Sequence, residues 1–107
     1  MDAPNENLRS RVLQALRAIE PELQAAGVRH VSLFGSVARG EDRVDSDVDL
    51  ALDLAPDTLP TDFQFVVYVE NLKRRIAAAL RRDVDIVILP ARRRELEQTL
   101  RKAIPAF

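Results

Sequence analysis

The stretch Gly35-Ser36-Val37-Ala38-Arg39-Gly40, followed after five residues by Ser46-Asp47-Val48-Asp49-Leu50, decides how the rest of the chain is read. Side chains alternate across a strand, so Asp47 and Asp49 share one face while Val48 and Leu50 pack on the other. Two carboxylates side by side suit Mg²⁺, a hard cation usually held by one or two carboxylates together with substrate phosphates. A Gly-Ser turn just upstream can offer backbone N–H groups and a hydroxyl to phosphate oxygens. Joined in this order, a phosphate turn and a metal-binding pair predict nucleotidyl transfer.

Upstream of the motif, Arg29 to Phe34 alternates, with Val31 and Leu33 on one side and His30, Ser32 and Phe34 on the other, until Gly35 ends the strand. Before it, Leu8, Val12, Leu16 (or Leu13 and Ile19) and Leu23 recur at helical spacing from about Asn7 to Ala26, and Gly27 suits the C-terminal cap. Pro21 either kinks this helix or opens a new turn as its first residue. Downstream, Val48 to Leu54 is the second strand. Pro56 and Pro60 interrupt the one linker-like stretch, residues 55–61. Thr61-Asp62 then offers an N-cap to a long helix whose buried stripe is Phe65, Val69, Leu72, Ile76 and Leu80. Residues 65–69 favour a strand by local propensity, but their continuation through Asn71-Leu72-Lys73-Arg74-Arg75 favours helix. Asp83 to Leu89 reads as a third strand closed by Pro90, and the segment from Ala91 to about Ala103 as a final basic helix.

The motif also constrains topology. Gly35 and Ser36 end one strand while Asp47 and Asp49 begin the next, so a single site holds all four only if those strands are antiparallel. Asp85, near the start of its strand, reaches the same place if the third strand runs parallel to the second with the 61–82 helix as a right-handed crossover. The expected fold is α/β (α+β): a small mixed sheet with helices packed on it.

The 107 residues contain no cysteine and fit one domain, residues 1–107, with a single core and no disulfides, suited to a reducing compartment. The N-terminus lacks a basic start and an apolar run, and no segment approaches the roughly 20 apolar residues of a membrane span. A cytoplasmic protein is expected. The net charge of −1 is segregated, with Glu41, Asp42, Asp45, Asp47, Asp49, Asp53 and Asp57 facing Arg43 alone over residues 41–57. Long-range attraction to nucleic acid is therefore not expected to dominate. Arg92-Arg93-Arg94 with Arg101-Lys102 reads as a solvated helix face before it reads as a nucleic-acid surface.

On Gly-Ser-x-Ala-Arg-Gly, five residues, Ser-Asp-x-Asp-Leu, met without a gap from Gly35 to Leu50, the chain resembles the minimal nucleotidyltransferases of the DNA polymerase β-like superfamily. The resemblance spans nearly the whole chain and implies the polymerase β-like fold. It assigns Gly35 and Ser36 to nucleotide phosphates and Asp47 and Asp49 to two divalent metals, Mg²⁺. Asp85, in Val84-Asp85-Ile86-Val87, matches the third catalytic carboxylate. Asp83 competes for that role, two residues earlier on the same side; Asp85 is preferred because apolar neighbours fix it in the sheet. Whether Asp85 is a metal ligand or also accepts a proton stays open. Arg39 either neutralises triphosphate charge or pairs with Asp42 or Asp45. Ser46 fits a cap at the strand entrance, and His30 and Tyr68 fit structural roles better than chemical ones.

The chain is too short to carry the added domain with which larger members enclose their substrates, so a second protein is expected to complete the site. In this family such proteins are commonly antitoxins of HEPN-type RNase toxins. The resemblance implies transfer of AMP from ATP to a toxin tyrosine. Two rivals stand beside it: a transferase acting on a small molecule such as an aminoglycoside, and a non-catalytic module that blocks its partner sterically.

Overall fold

Asn7 starts the first helix, α1 (Leu8–Ala18), its side chain accepting the Ser10 N–H at 2.8 Å and so satisfying one of the donors left free at a helix start. The computed structural model describes residues 7–43, 46–56, 59–89 and 102–107. Pro21 resolves as the opening of a new helix. Its missing N–H and its ring prevent α1 from continuing, and α2 (Glu20–Ala25) begins instead with proline in its first turn.

Strand β1 (Val28–Phe34) runs into α3 (Gly35–Arg39), a five-residue helix where the sequence had suggested only a turn. Strand β2 (Val48–Leu54) lies antiparallel to β1, with Leu33 opposite Leu50 and Phe34 opposite Asp49. The long α4 (Asp62–Leu80) crosses to β3 (Val84–Leu89), which pairs with β2 in parallel, Val48 against Val84 and Asp49 against Asp85. The antiparallel and parallel pairings are those the motif required. A fourth strand, β4 (Ile104–Pro105), was not anticipated; it pairs antiparallel with β1, giving the order β3-β2-β1-β4. The bond from the Ala106 N–H to the Val31 carbonyl at 2.8 Å anchors it, and the Arg17 Nε–H donates to the Ala106 carbonyl at 2.9 Å. Lys102 and Ala103 are not helical, and the rest of the expected basic helix, with Arg92 to Arg94, lies outside the described residues.

One face of the sheet carries the core. Val31 and Leu33 of β1 and Val48, Leu50, Leu52 and Leu54 of β2 are buried against Val12, Leu16, Leu23, Leu72 and Ile76 from the helices. The alternation that buries these residues turns Phe34, Asp49 and Asp85 to the opposite face. Of the stripe expected on α4, Leu72 and Ile76 are fully inside, Phe65 and Leu80 flank the core, and Val69 is only half-buried. Among the described residues no helix is long and apolar enough to cross a membrane.

Candidate active site

Because Phe34 stands opposite Asp49, the next residue, Gly35, arrives directly at the Asp49 carboxylate. Gly35 has φ +78°, in the left-handed region, and a Cβ there would lie 3.0 Å from Asp49 Cγ, 3.2 Å from its Cβ and closer still to Oδ2. Glycine is thus required twice, for its backbone angle and for its lack of a side chain. Ser36 follows, half-buried, in the first turn of α3. Gly40, φ +74°, closes that helix: its N–H bonds the Val37 carbonyl at 3.1 Å and the Glu41 N–H bonds the Ser36 carbonyl at 2.9 Å. This pair of bonds is the Schellman closure, which fixes α3 as one tight unit between β1 and the acidic loop.

Asp49 and Asp85 are register neighbours on parallel strands and share a face of the sheet. Asp47 lies one residue before β2, exposed, and Asp83 one residue before β3, its carbonyl accepting the Val48 N–H at 3.0 Å. Burial, then the charges of Asp85 and Asp47, push the Asp49 carboxyl above the usual carboxylate range, and Arg39 partly offsets them. The folded chain therefore holds the Asp49 proton more tightly than the unfolded chain does. In chelator, stability is expected to fall as pH rises from the ordinary carboxylate range through the raised folded value. Asp49→Asn should flatten that fall and raise Tm at neutral pH; a Tm unchanged in a calorimetric scan would show that the carboxylates are not crowded.

Arg39 is exposed and its Nε–H donates to Glu41, two residues on, instead of to Asp42; Asp45 lies outside the described residues. Ser46 caps the entrance to β2, its Oγ accepting the Arg43 N–H at 2.6 Å. His30 is exposed on β1 and stands in register with Asp53, not with Asp49, which is opposite Phe34. The Tyr68 hydroxyl donates to the Ala26 carbonyl at 2.6 Å, tying α4 to the end of α2, and burial raises its pKa. Tyr68→Phe is expected to cost about 0.5–1.5 kcal/mol in a urea melt and to leave transfer intact; loss of activity without loss of stability would assign the hydroxyl a chemical task.

A cavity of about 360 Å³ opens beside the carboxylates, lined by Asp47, Asp83 and Asp85 and by Glu70, Lys73 and Arg74 of α4. These last three were not singled out in the sequence, although their spacing of three and four places them on one helix face. Among the described residues no group of three His, Cys, Asp or Glu side chains converges into a ready-made cation cage. An oxygen-only, strongly negative but incomplete donor set suits a hard cation that arrives with phosphate oxygens to finish its shell.

The polymerase beta nucleotidyltransferase family profile matches residues 17–104, and the chain belongs to that family. Protein adenylyltransferase MntA of Shewanella oneidensis is 36% identical over 89 residues, 83% of this chain but 54% of that protein, so the chain spans about half the length of that relative. Protein adenylyltransferase MntA of Thermococcus cleftensis is 31% identical over 78 residues, 73% of each. A solved structure described as a minimal nucleotidyltransferase matches with a TM-score of 0.69 and 35% identity, over 94% of this chain and 97% of that one. A toxin-antitoxin structure with AMP-PNP matches with a TM-score of 0.62 and 25% identity, over 92% and 72%. The polymerase β-like fold expected from the motif is the fold observed.

Proposed function

We propose that this chain transfers AMP from ATP to a tyrosine hydroxyl of a HEPN-type RNase toxin and, acting in the cytoplasm, serves as its antitoxin. One observation carries the reading: Gly35 packs so closely on Asp49 that a phosphate held at the Gly35-Ser36 turn lies at the carboxylates. The relatives named protein adenylyltransferase and the toxin-antitoxin structure with AMP-PNP support the choice of reaction and partner.

Asp47 and Asp49 would hold the Mg²⁺ that accompanies the triphosphate, and Asp85 would share in holding a second ion. Bound there, such ions neutralise charge on the phosphoryl oxygens and acidify the attacking hydroxyl. The Gly35 and Ser36 N–H groups and the Ser36 hydroxyl orient the phosphates, which is where much of the rate in phosphoryl transfer originates. Arg39, already lowering the charge cost at Asp49, adds a positive charge on the same side. The acceptor oxygen would bond to the α-phosphorus as the bond to the pyrophosphate oxygen breaks, and Asp85, exposed at the cavity, would be the group to take the hydroxyl proton.

Copurification of the native chain with its partner, followed by intact mass after incubation with ATP and Mg²⁺, tests the reading. A gain of one or more AMP units on a partner tyrosine, with loss of its RNase activity, is expected. Neutralisation without any mass gain would instead establish a steric antitoxin, and transfer only to a small hydroxyl compound would establish the aminoglycoside-type reading.

A further inference from the structure

One face of α4 has two unlike halves. Phe63, Val66 and Val67 are 76%, 56% and 43% exposed, the large apolar side chains most open to water among the described residues. Steps of three and four along the helix carry the same face on to Glu70, Lys73, Arg74 and Ala77. Those four line the cavity that Asp47 and Asp85 share. The opposite face, with Leu72 and Ile76, is buried in the core and holds the helix in place.

Singly exposed apolar residues are ordinary, but three on one face form a patch of the kind that marks interaction surfaces. Its position is specific. The apolar half ends where the catalytic cavity begins, so a body seated on Phe63, Val66 and Val67 is already beside the carboxylates. Lys73 and Arg74 make no hydrogen bond or ion pair among the described residues, although Glu70 and Asp83 line the same cavity. Charges of both signs are thus left free to meet an incoming segment.

We propose that this face of α4 is the track on which the acceptor protein docks. The apolar half grips an apolar surface of that protein, and Glu70, Lys73 and Arg74, charged with both signs, guide its acceptor segment to Asp85. The proposal rests on the reading of the chain as a protein-modifying transferase. It commits to the acceptor because of the continuity between patch and cavity: a small hydroxyl compound needs the cavity alone and leaves the patch in water, and a second copy of this chain seated on the patch competes with the acceptor at the cavity mouth.

The test compares the native chain with Val66→Asp/Val67→Asp and with Lys73→Glu/Arg74→Glu, with partner affinity measured by calorimetry, acceptor KM and kcat by intact mass, and nucleotide binding with AMP-PNP. Val66, Val67 and Arg74 are exposed and Lys73 is half-buried, and circular dichroism checks the fold of both variants. Val66→Asp/Val67→Asp is expected to weaken partner binding and raise the acceptor KM at least tenfold, with kcat at saturating acceptor and AMP-PNP affinity unchanged. Lys73→Glu/Arg74→Glu should raise the acceptor KM as well. Native affinity and native KM in Val66→Asp/Val67→Asp would overturn the proposal, as would conversion of a native dimer to monomer with acceptor KM unchanged. A native chain that binds the partner without modifying it would sink the enzymatic reading alone, and the binding arm would still decide the docking face. A native chain that binds no protein would sink both.

Discussion

Asp49→Asn is expected to lower AMP transfer by more than about a hundredfold while the fold persists. The substitution keeps the side chain's shape and removes the charge that sits between Asp47 and Asp85 and against Gly35. Preorganised groups that stabilise developing charge are worth about 3 kcal/mol or more, which is a rate factor of that size. Single-turnover transfer of labelled AMP, with circular dichroism as control, measures it. Asp47→Asn and Asp85→Asn should behave alike, and Asp85→Asn should still bind the partner. Near-native turnover in Asp49→Asn with Mg²⁺ still required would mean that the ligand set lies elsewhere.

Gly35→Val is expected to be as damaging, through a different route. A branched side chain at φ +78° is strained in itself, and its Cβ would collide with the Asp49 carboxylate, so the β1–α3 junction or Asp49 has to move. Transfer should be undetectable and Tm lowered. Ser36→Ala removes one hydroxyl and leaves the backbone N–H groups in place, so it should cost far less. Full activity in Gly35→Val with none in Ser36→Ala would reassign the phosphate turn to the serine hydroxyl.

Strands β1 and β2 were legible from their alternation and β3 from a short apolar run closed by Pro90, and their pairing was legible because the motif makes sense only if β1 and β2 are antiparallel and β3 is parallel to β2. The juxtaposition of Asp49 with Asp85 followed from that topology. Other features were out of reach for stated physical reasons. A helix as short as α3 carries no full period, so Gly35 to Arg39 looked like a turn. Two residues of β4 carry no alternation at all; their pairing is a tertiary event, fixed by β1 and Arg17. Pro21 permits two backbone solutions, and only the packing of Leu23 against the core selects one. The exposure of Phe63, Val66 and Val67 was invisible for a related reason: residues 62–69 are apolar on several sides, and which side meets the core depends on the crossing of α4 over the sheet. Arg39 pairs with Glu41, a neighbour outside the two partners, Asp42 and Asp45, that the sequence suggested.

Among the described residues β3 is one of the two edge strands, and it contributes Asp85 through hydrogen bonds to β2 alone within the sheet. The three carboxylates are consequently split across a seam: Asp49 belongs to an interior strand and Asp47 immediately precedes it, whereas Asp85 belongs to a peripheral one. Parts of a fold can open at lower free energy than the global transition. Unzipping Val84–Leu89 separates the third carboxylate from the other two while β1 and β2 stay paired. On the proposed reading, opening of this single six-residue ladder would leave a molecule in which Asp85 no longer stands beside Asp49.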